Sequence, residues 1–387
     1  MSNPNVPLKY FIVAGEASGD LHGSNLIKQL QQLDKTCQIQ FWGGDLMAAL
    51  AGPPLKHIKD LAFMGFVEVV ANIRTIFKNI EKCKQDILDF KPNVLVLVDY
   101  PGFNLRIAEF AHANGIKVVY YVSPQIWAWK QSRVHKIKKV VDRMLVILPF
   151  EKDFYSKFGV SVDFVGHPLL DAIETVGVVG ELNAVDHSTF VVPNLNKNFI
   201  ALLPGSRKQE ISRMLPVMLE VAQKHPQYKF AIAAAPAIDL SYYKEFIQAS
   251  GMPQIELIQG KTYDLLQMAD AALVTSGTAT LETALFRVPE VVCYKGGQVS
   301  YWIARSLVKV KFISLVNLIM DREVVCELIQ DDFNAKRLGE ELDKIMDVEV
   351  RKRLQVDYQD LSQRLGGGGA SLRAAEIVYA EAQKETA

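Results

Sequence analysis

Leu202-Leu203-Pro204-Gly205-Ser206-Arg207, with Glu210 following, and Val274-Thr275-Ser276-Gly277-Thr278-Ala279-Thr280-Leu281-Glu282 are the two stretches that decide the fold. In each, a short apolar run (Phe199 to Leu203, then Ala271 to Thr275) gives way at a glycine to helix-type sequence, the pattern of a strand turning into a helix. Two such turns open toward one crevice at the carboxyl ends of a parallel sheet. Gly205 and Gly277 permit close backbone approach, and Ser206 and Ser276 sit beside them. The helix N-termini present free amides to anionic oxygens, and Arg207 can fork onto phosphate. Thr278 and Glu282 lie on one helix face, where a carboxylate can accept both hydroxyls of a ribose. Taken singly, Pro-Gly-Ser-Arg is also an ordinary strand exit, and a Glu in the first turns is also favoured by the helix dipole. The two loops together point to a nucleotide diphosphate, hence to a nucleotide-sugar enzyme.

The 387 residues exceed what one hydrophobic core usually organises, so two domains are expected. With 43 basic and 43 acidic residues there is no global field to attract nucleic acid, and none is expected as a partner. Cys37, Cys83, Cys293 and Cys326 are scattered, without Cys-x-x-Cys spacing or nearby histidines, which argues against a metal site or a disulfide framework. The first residues lack the organisation of a signal peptide, and no apolar run approaches the ~20 residues that span a bilayer. A cytoplasmic chain is the expectation.

Strand and helix signals alternate in both halves, which implies parallel sheets covered on both faces. Tyr10 to Ala14 leads through Gly15-Glu16-Ala17-Ser18-Gly19-Asp20 into an amphipathic stretch ending at Leu33. Val94 to Val98 pairs with a helix over Ala108 to Asn114, and Val118 to Val122 with a basic helix from Lys130. The Gly-, Asn- and Asp-rich segment from Glu174 to Asn198 reads as an interdomain passage. Gly366 to Gly369 reads as a hinge before a terminal helix capped by Ser371. The expected domains are residues 7–175 on the acceptor and membrane side, 199–345 for the nucleotide sugar, and a helical tail over 346–387.

Several further motifs stand in register with these. Met64-Gly65-Phe66-Val67-Glu68-Val69, Val122-Ser123-Pro124 with Ile126-Trp127-Ala128-Trp129, Leu148-Pro149-Phe150-Glu151 and Gly166-His167 join the first glycine turn and the two nucleotide loops. In order and spacing the set resembles the lipid-A-disaccharide synthases, from roughly Tyr10 to Glu327. That resemblance implies the GT-B architecture, α/β with two Rossmann-like domains facing each other across a crevice. It also implies an inverting hexosyltransferase of lipid A biosynthesis. Such enzymes join UDP-2,3-diacylglucosamine to 2,3-diacylglucosamine 1-phosphate, forming a β-1,6 disaccharide phosphate and releasing UDP. They work at the cytoplasmic face of the inner membrane, without a metal or organic cofactor. A homodimer is entertained. Asp99, Arg207, Glu282 and Asn317 match positions that the family carries functionally. This chain has Gly102 where many members have a second Asp, and Val316 where they have Pro; the first departure puts a paired-carboxylate scheme in doubt.

An inverting transfer needs a base for the acceptor hydroxyl and donors for the departing UDP. Asp99 follows the apolar run Val94 to Val98, where a carboxylate protrudes at the sheet's carboxyl edge, although a turn or cap role fits the position equally. Glu16 and Asp20 are rival bases, and Asp20 could instead cap a helix. Arg207 leads for the diphosphate. Ser18, Gly19, Asn104, Ser123 and His167 complete the expected substrate contacts, with a hinge turn as the other reading of Gly166-His167-Pro168. Trp127 and Trp129 suit either sugar stacking or core packing.

Both expected substrates are acylated, so a membrane-facing surface is also sought. Phe63, Met64, Phe66, Val67, Val70, Ile73 and Phe77 fall on or beside a helical apolar stripe flanked by Arg74 and Lys78. A buried core helix is the commoner origin of such a stripe. Lys130, Arg133, Lys136, Lys138 and Lys139 form a basic segment suited to phosphate or anionic headgroups, or to solvent alone. Two rivals remain: a UDP-N-acetylglucosamine 2-epimerase, which shares the nucleotide loops, and a dinucleotide oxidoreductase, disfavoured because the first turn lacks Gly-x-Gly-x-x-Gly.

Overall fold

The computed structural model describes residues 7–61, 73–174, 198–297 and 311–384. Contacts divide the chain into two compact units, Met1–Ala172 with Leu365–Ala387, and Ile173–Arg364. The interdomain passage read from the sequence falls almost wholly outside the described residues.

The first unit holds β1 (Lys9–Ala14), β2 (Gln38–Gly43), β3 (Lys56–His57), β4 (Val94–Val98), β5 (Lys117–Tyr121), β6 (Arg143–Val146) and β7 (Asp163–Phe164). They form one parallel sheet in the order β3-β2-β1-β4-β5-β6-β7. Every residue of β4 is fully buried, as is β1 from Tyr10 to Ala14, which is why both read as unbroken apolar runs. Helix Ala17–Leu33 covers one face through Leu26, Ile27 and Leu30, each worth about 1.5 to 3 kcal/mol of apolar burial. The chain order reverses between β1 and β4, whose register runs from Tyr10 beside Val94 to Ala14 beside Val98. Gly15-Glu16 and Asp99-Tyr100 therefore leave the sheet side by side at its switch point, where doubly wound folds bind ligands.

The second unit repeats this plan with β8 (Phe199–Leu203), β9 (Lys229–Ala234), β10 (Glu256–Gln259), β11 (Ala271–Thr275), β12 (Glu290–Tyr294) and β13 (Cys326–Ile329), all parallel, in the order β10-β9-β8-β11-β12-β13. Its order reverses between β8 and β11, where Leu203 pairs with Val274. The two loops quoted at the outset are thus neighbours at this second switch point.

Some local expectations shift. The helix after β4 begins at Pro101, not Ala108, because proline at the first helical position has its φ already set and no amide to satisfy. The basic segment forms a short 3-10 turn, Gln131–Arg133, and helix Val134–Val140. The 346–387 tail is shared between the units. Helix Val348–Arg364 is tied to the second through Arg351 to Asp270 (3.6 Å) and Asp357 to Arg322 (2.6 Å). Helix Ala370–Gln383 packs on the first, against helix Ala17–Leu33. Ser371 is not its cap. Gly369 holds that position, and the Asp171 carboxylate accepts from the amides of Gly369, Ala370 and Ser371 at 2.6, 3.1 and 2.8 Å. Arg373 braces the same corner by donating to the carbonyl of Val165 at 2.8 Å.

Candidate active site

In the second unit, a cavity of about 400 Å³ opens between the two loops, lined among others by Gly205, Arg207, Ser276, Gly277, Thr278 and Glu282. Gly205 has φ +106°, and a Cβ there would lie 2.6 Å from the Glu210 carboxylate, so only glycine fits. That carboxylate accepts from the amides of Ser206 (3.0 Å) and Arg207 (3.2 Å) and meets the Arg207 guanidinium at 3.3 Å. The amides expected to greet phosphate at this loop are therefore occupied by the chain's own Glu210. Arg207 is 63% exposed and engages a single carboxylate, which leaves most of its five N–H groups for a ligand.

The other loop keeps its helix end open. Gly277 precedes helix Thr278–Leu285, and a Cβ on it would meet nothing within 4 Å, so the approach to the first helical amides is clear. The Ser276 hydroxyl is turned to the fold, donating to the carbonyl of Ile313 at 3.1 Å. Glu282 is half-buried and receives the Tyr263 hydroxyl at 2.9 Å on one oxygen, leaving the other for a ligand. Burial pushes its carboxyl above the ordinary range, and the Tyr263 hydrogen bond pulls the other way. The hydroxyl of Thr275, buried in the cavity wall, has no partner among the described residues.

In the first unit, a cavity of about 320 Å³ is lined by Asp99, Val122, Ser123, Trp129 and Glu151, among others. Asp99, Tyr100 and Val122 have φ of +44°, +49° and +62°. Left-handed backbone costs ordinary residues about 1 to 2 kcal/mol each, and these three stand together at the ends of the adjacent strands β4 and β5. The cluster is held by neighbours. Asn104 donates its side-chain amide to the carbonyls of Val98 (3.1 Å) and Asp99 (2.8 Å), and Tyr120 donates its hydroxyl to the Asp99 carbonyl. The Tyr100 ring lies where a side chain on residue 15 would go, 2.3 Å from an added Cβ, which is why Gly15 is glycine. That packing sets Glu16 near Asp99. Burial pushes the Asp99 carboxyl up to about 6, and the negative charge of Glu16 adds to the rise. Glu151, almost wholly buried, accepts from the Leu148 amide (3.0 Å) and the Trp127 indole (3.3 Å), and burial raises it to about 7.

Several residues offered as ligand contacts make hydrogen bonds within the fold. Asp20 accepts from the amides of Gly44, Leu46 and Met47 at 2.7, 3.0 and 3.2 Å, capping helix Asp45–Ala51, not its own helix. Gly19 is buried against Ala14, while Ser18 is exposed. Asn104 braces the Asp99 loop through its Nδ2 from a fully buried position, while its Oδ1 has no partner among the described residues. Ser123 shares a hydrogen bond with the Tyr155 hydroxyl at 2.9 Å at the edge of the first cavity. His167 accepts from the Leu169 amide at 3.2 Å, and burial together with nearby His22 lowers it to about 3, so it stays neutral and cannot act as a cation. Asn317, fully buried, accepts from Val324 (2.7 Å) and Val325 (3.0 Å) and donates to the Val325 carbonyl (2.9 Å) and to Glu327 (2.8 Å), which uses its whole amide. Conversely, Tyr263 lies outside every motif quoted, and Thr275 lies within the second loop without being singled out there. The only cue in the sequence is that each stands at or just beyond the carboxyl end of a strand.

Phe63, Met64, Phe66, Val67 and Val70 lie outside the described residues. Ile73 opens helix Ile73–Phe90, on which Phe77 is 49% exposed, with the Arg106 guanidinium 5.2 Å from its ring centroid. Among the described residues no helix is long and apolar enough to cross a membrane, and no group of three or more His, Cys, Asp or Glu side chains is placed to hold a metal ion.

Solved structures share this fold at low identity. A UDP-GlcNAc 2-epimerase from Neisseria meningitidis bound to UDP-GlcNAc aligns with TM-score 0.64 at 14% identity, covering 96% of this chain and 100% of its own. The glycotransferase of kitacinnamycin aligns with TM-score 0.62 at 14% identity, covering 97% and 99%. At these identities the likeness shows the GT-B architecture and does not choose between epimerase and transferase. Sequence does choose. The lipid-A-disaccharide synthase of Syntrophus aciditrophicus is 42% identical over 373 residues, 94% of this chain and 95% of the relative. A family model described as lipid-A-disaccharide synthetase matches residues 10–380, a span that takes in both switch-point cavities and the returning terminal helix, and the chain belongs to that family.

Proposed function

We propose that the chain transfers 2,3-diacylglucosamine from its UDP-linked form to the 6-hydroxyl of 2,3-diacylglucosamine 1-phosphate, with inversion at the anomeric carbon, giving the β-1,6 disaccharide 1-phosphate and UDP. The cavity of the first unit takes the acceptor. The cavity of the second takes the nucleotide. Asp99 removes the proton from the acceptor hydroxyl, since its carboxylate is half-buried, pairs with no side-chain cation among the described residues, and has its pKa raised to about 6 against the opposing pull of the Tyr100 amide. Such a group is mostly ionised at neutral pH and more basic than a surface carboxylate, the combination general-base catalysis needs. Arg207 and the open end of helix Thr278–Leu285 stabilise the charge developing on UDP, and the free oxygen of Glu282 takes the ribose. The observation that carries the assignment of the base is the half-buried Asp99 carboxylate, its pKa raised in a left-handed loop at the sheet's switch point.

Two further parts of the reading concern location. A chain that handles acylated substrates meets a bilayer surface, here the inner face of the inner membrane, and the apolar segment before and including Phe77 is the proposed contact. Self-association into a homodimer completes the reading. The reaction is tested by incubating the protein with synthetic UDP-2,3-diacylglucosamine and 2,3-diacylglucosamine 1-phosphate and weighing the products by mass spectrometry. A disaccharide phosphate with one UDP released per bond is the expected result. Conversion of UDP-N-acetylglucosamine to its 2-epimer, with no disaccharide formed, would replace this reading with the epimerase.

A further inference from the structure

The acceptor cavity has a charged mouth that the proposed transfer chemistry does not use. Trp129, one of its lining residues, is 47% exposed. Two cations sit over its ring: the Lys130 ammonium at 4.4 Å from the centroid and the Arg133 guanidinium at 5.6 Å. Neither makes an ion pair with a carboxylate among the described residues. Of the other cations of this segment, Lys136 pairs with Glu109 at 2.7 Å, and Lys138 donates to the Phe158 carbonyl at 3.3 Å. Two like charges over one indole repel each other, and the ring quadrupole offsets only part of that. Arg133 is half-buried and close enough to Tyr120 for its charge to favour the ionised phenol, and Tyr120 is the residue whose hydroxyl holds the Asp99 carbonyl. The pair of cations thus sits on the segment that follows β5, against Trp129 of the lining that Asp99 shares.

We infer that Lys130 and Arg133, steadied over Trp129 at the mouth of the Asp99 cavity, form a subsite for a phosphate monoester, and that its occupant is the anomeric phosphate of the acceptor sugar. A phosphate monoester carries close to two negative charges at neutral pH, enough to neutralise both cations, and offers oxygens to the guanidinium fork while the ammonium acts as a point charge. A neutral sugar would leave the two cations uncompensated and would have to compete with them for the indole face. The role is one of selection and orientation: an acceptor anchored by its phosphate presents the far hydroxyl of its ring toward Asp99. This rests on the reading that the first cavity takes the acceptor.

The test compares two acceptors in detergent micelles free of anionic lipid: 2,3-diacylglucosamine 1-phosphate and the same lipid without its phosphate. The wild-type protein is expected to prefer the phosphorylated acceptor in kcat/KM. In the double variant Lys130→Gln with Arg133→Gln, kcat/KM for the phosphorylated acceptor should fall about a hundredfold, while the value for the other acceptor holds, so that the preference collapses. Trp129→Leu should reduce the preference in part, by freeing the two cations to move. Affinity for UDP, measured by calorimetry, should not change in any of them. If the double variant keeps the wild-type preference, or loses both acceptors equally, the subsite is wrong although the transferase reading stands. Absence of transfer in the wild type with either acceptor sinks both. The same cations could instead meet bilayer headgroups, so binding to phosphatidylglycerol vesicles is measured in parallel. If the double variant loses vesicle binding while its acceptor preference is intact, the occupant is the headgroup and the inference fails.

Discussion

Asp99 combines two unfavourable circumstances, a left-handed backbone and a half-buried carboxyl, and both are sustained by contacts to Asn104, Tyr120 and the Gly15 turn. Its raised pKa has a defined consequence for rate. As the proposed base, Asp99 must be ionised, so kcat/KM should rise with pH through an acid limb near 6, and Asp99→Asn should cut the chemical step by a factor on the order of 10² to 10⁴ with UDP affinity retained. Because the charge of Glu16 contributes to the rise, Glu16→Gln should move that limb to lower pH without abolishing turnover. A dead Glu16→Gln variant beside an active Asp99→Asn variant would transfer the base to Glu16. In the second unit, Tyr263→Phe removes the hydrogen bond that favours ionised Glu282, so its carboxyl should rise further. UDP affinity should then fall about fivefold at neutral pH, and more steeply as pH is lowered. A pH-independent loss in calorimetry would mean that Tyr263 supports packing only.

Between elements, the recurring device is a carboxylate from one segment that satisfies the open amides of another. Asp20 closes helix Asp45–Ala51 from helix Ala17–Leu33, and Asp171 closes the terminal helix from helix Pro168–Glu174. Each ties two segments with charge-assisted hydrogen bonds, the stronger kind. Asp20→Ala leaves three amides without their acceptor and should lower unfolding stability by about 2 to 4 kcal/mol, with KM for either substrate unchanged at a temperature where the variant is folded. A stable variant with a raised KM would return Asp20 to the substrate site. The helix caps are also where local reading of the sequence falls short. A first-turn Asp looks like a cap for its own helix, and the true recipient, near Gly44, is known only once β2 lies beside β1.

At the scale of the molecule, each unit is a doubly wound parallel sheet with its cavity at the switch point, and the last helix belongs to the first unit although it follows the second in sequence. Helix Ala370–Gln383 buries Ala374, Ala375 and Val378 along its middle, is fixed at its start by Asp171, and pairs its buried Glu381 with Arg143 near its end. Asp171→Ala should therefore loosen this helix before the rest of the unit. Hydrogen exchange at the amides of Gly369, Ala370 and Ser371 should quicken well beyond that of β1 and β4. Uniform acceleration across the first unit would show that the helix unfolds only with the whole.

The strands β1, β4, β8 and β11 and the glycine turns after β1, β8 and β11 were legible because they depend on neighbours in sequence: apolar runs long enough for a buried strand, and glycine where a chain turns sharply against another. From these, and from the resemblance to one synthase family, the two-sheet architecture, the nucleotide loops and the importance of Asp99 and Arg207 could be expected. Which polar side chains remain open to a ligand could not. Asp20 and Asn317 have the chemistry of site residues, and their side chains are taken up by backbone amides and, for Asn317, by Glu327, partners that only folding delivers. The same holds for the gains: Tyr263 meets Glu282 across 19 positions of sequence, and Tyr120 reaches the Asp99 carbonyl from the adjacent strand. Hydrogen-bond saturation is a property of three-dimensional neighbours, so the sequence determined where the cavities lie, and the tertiary structure decided which groups are free to act in them.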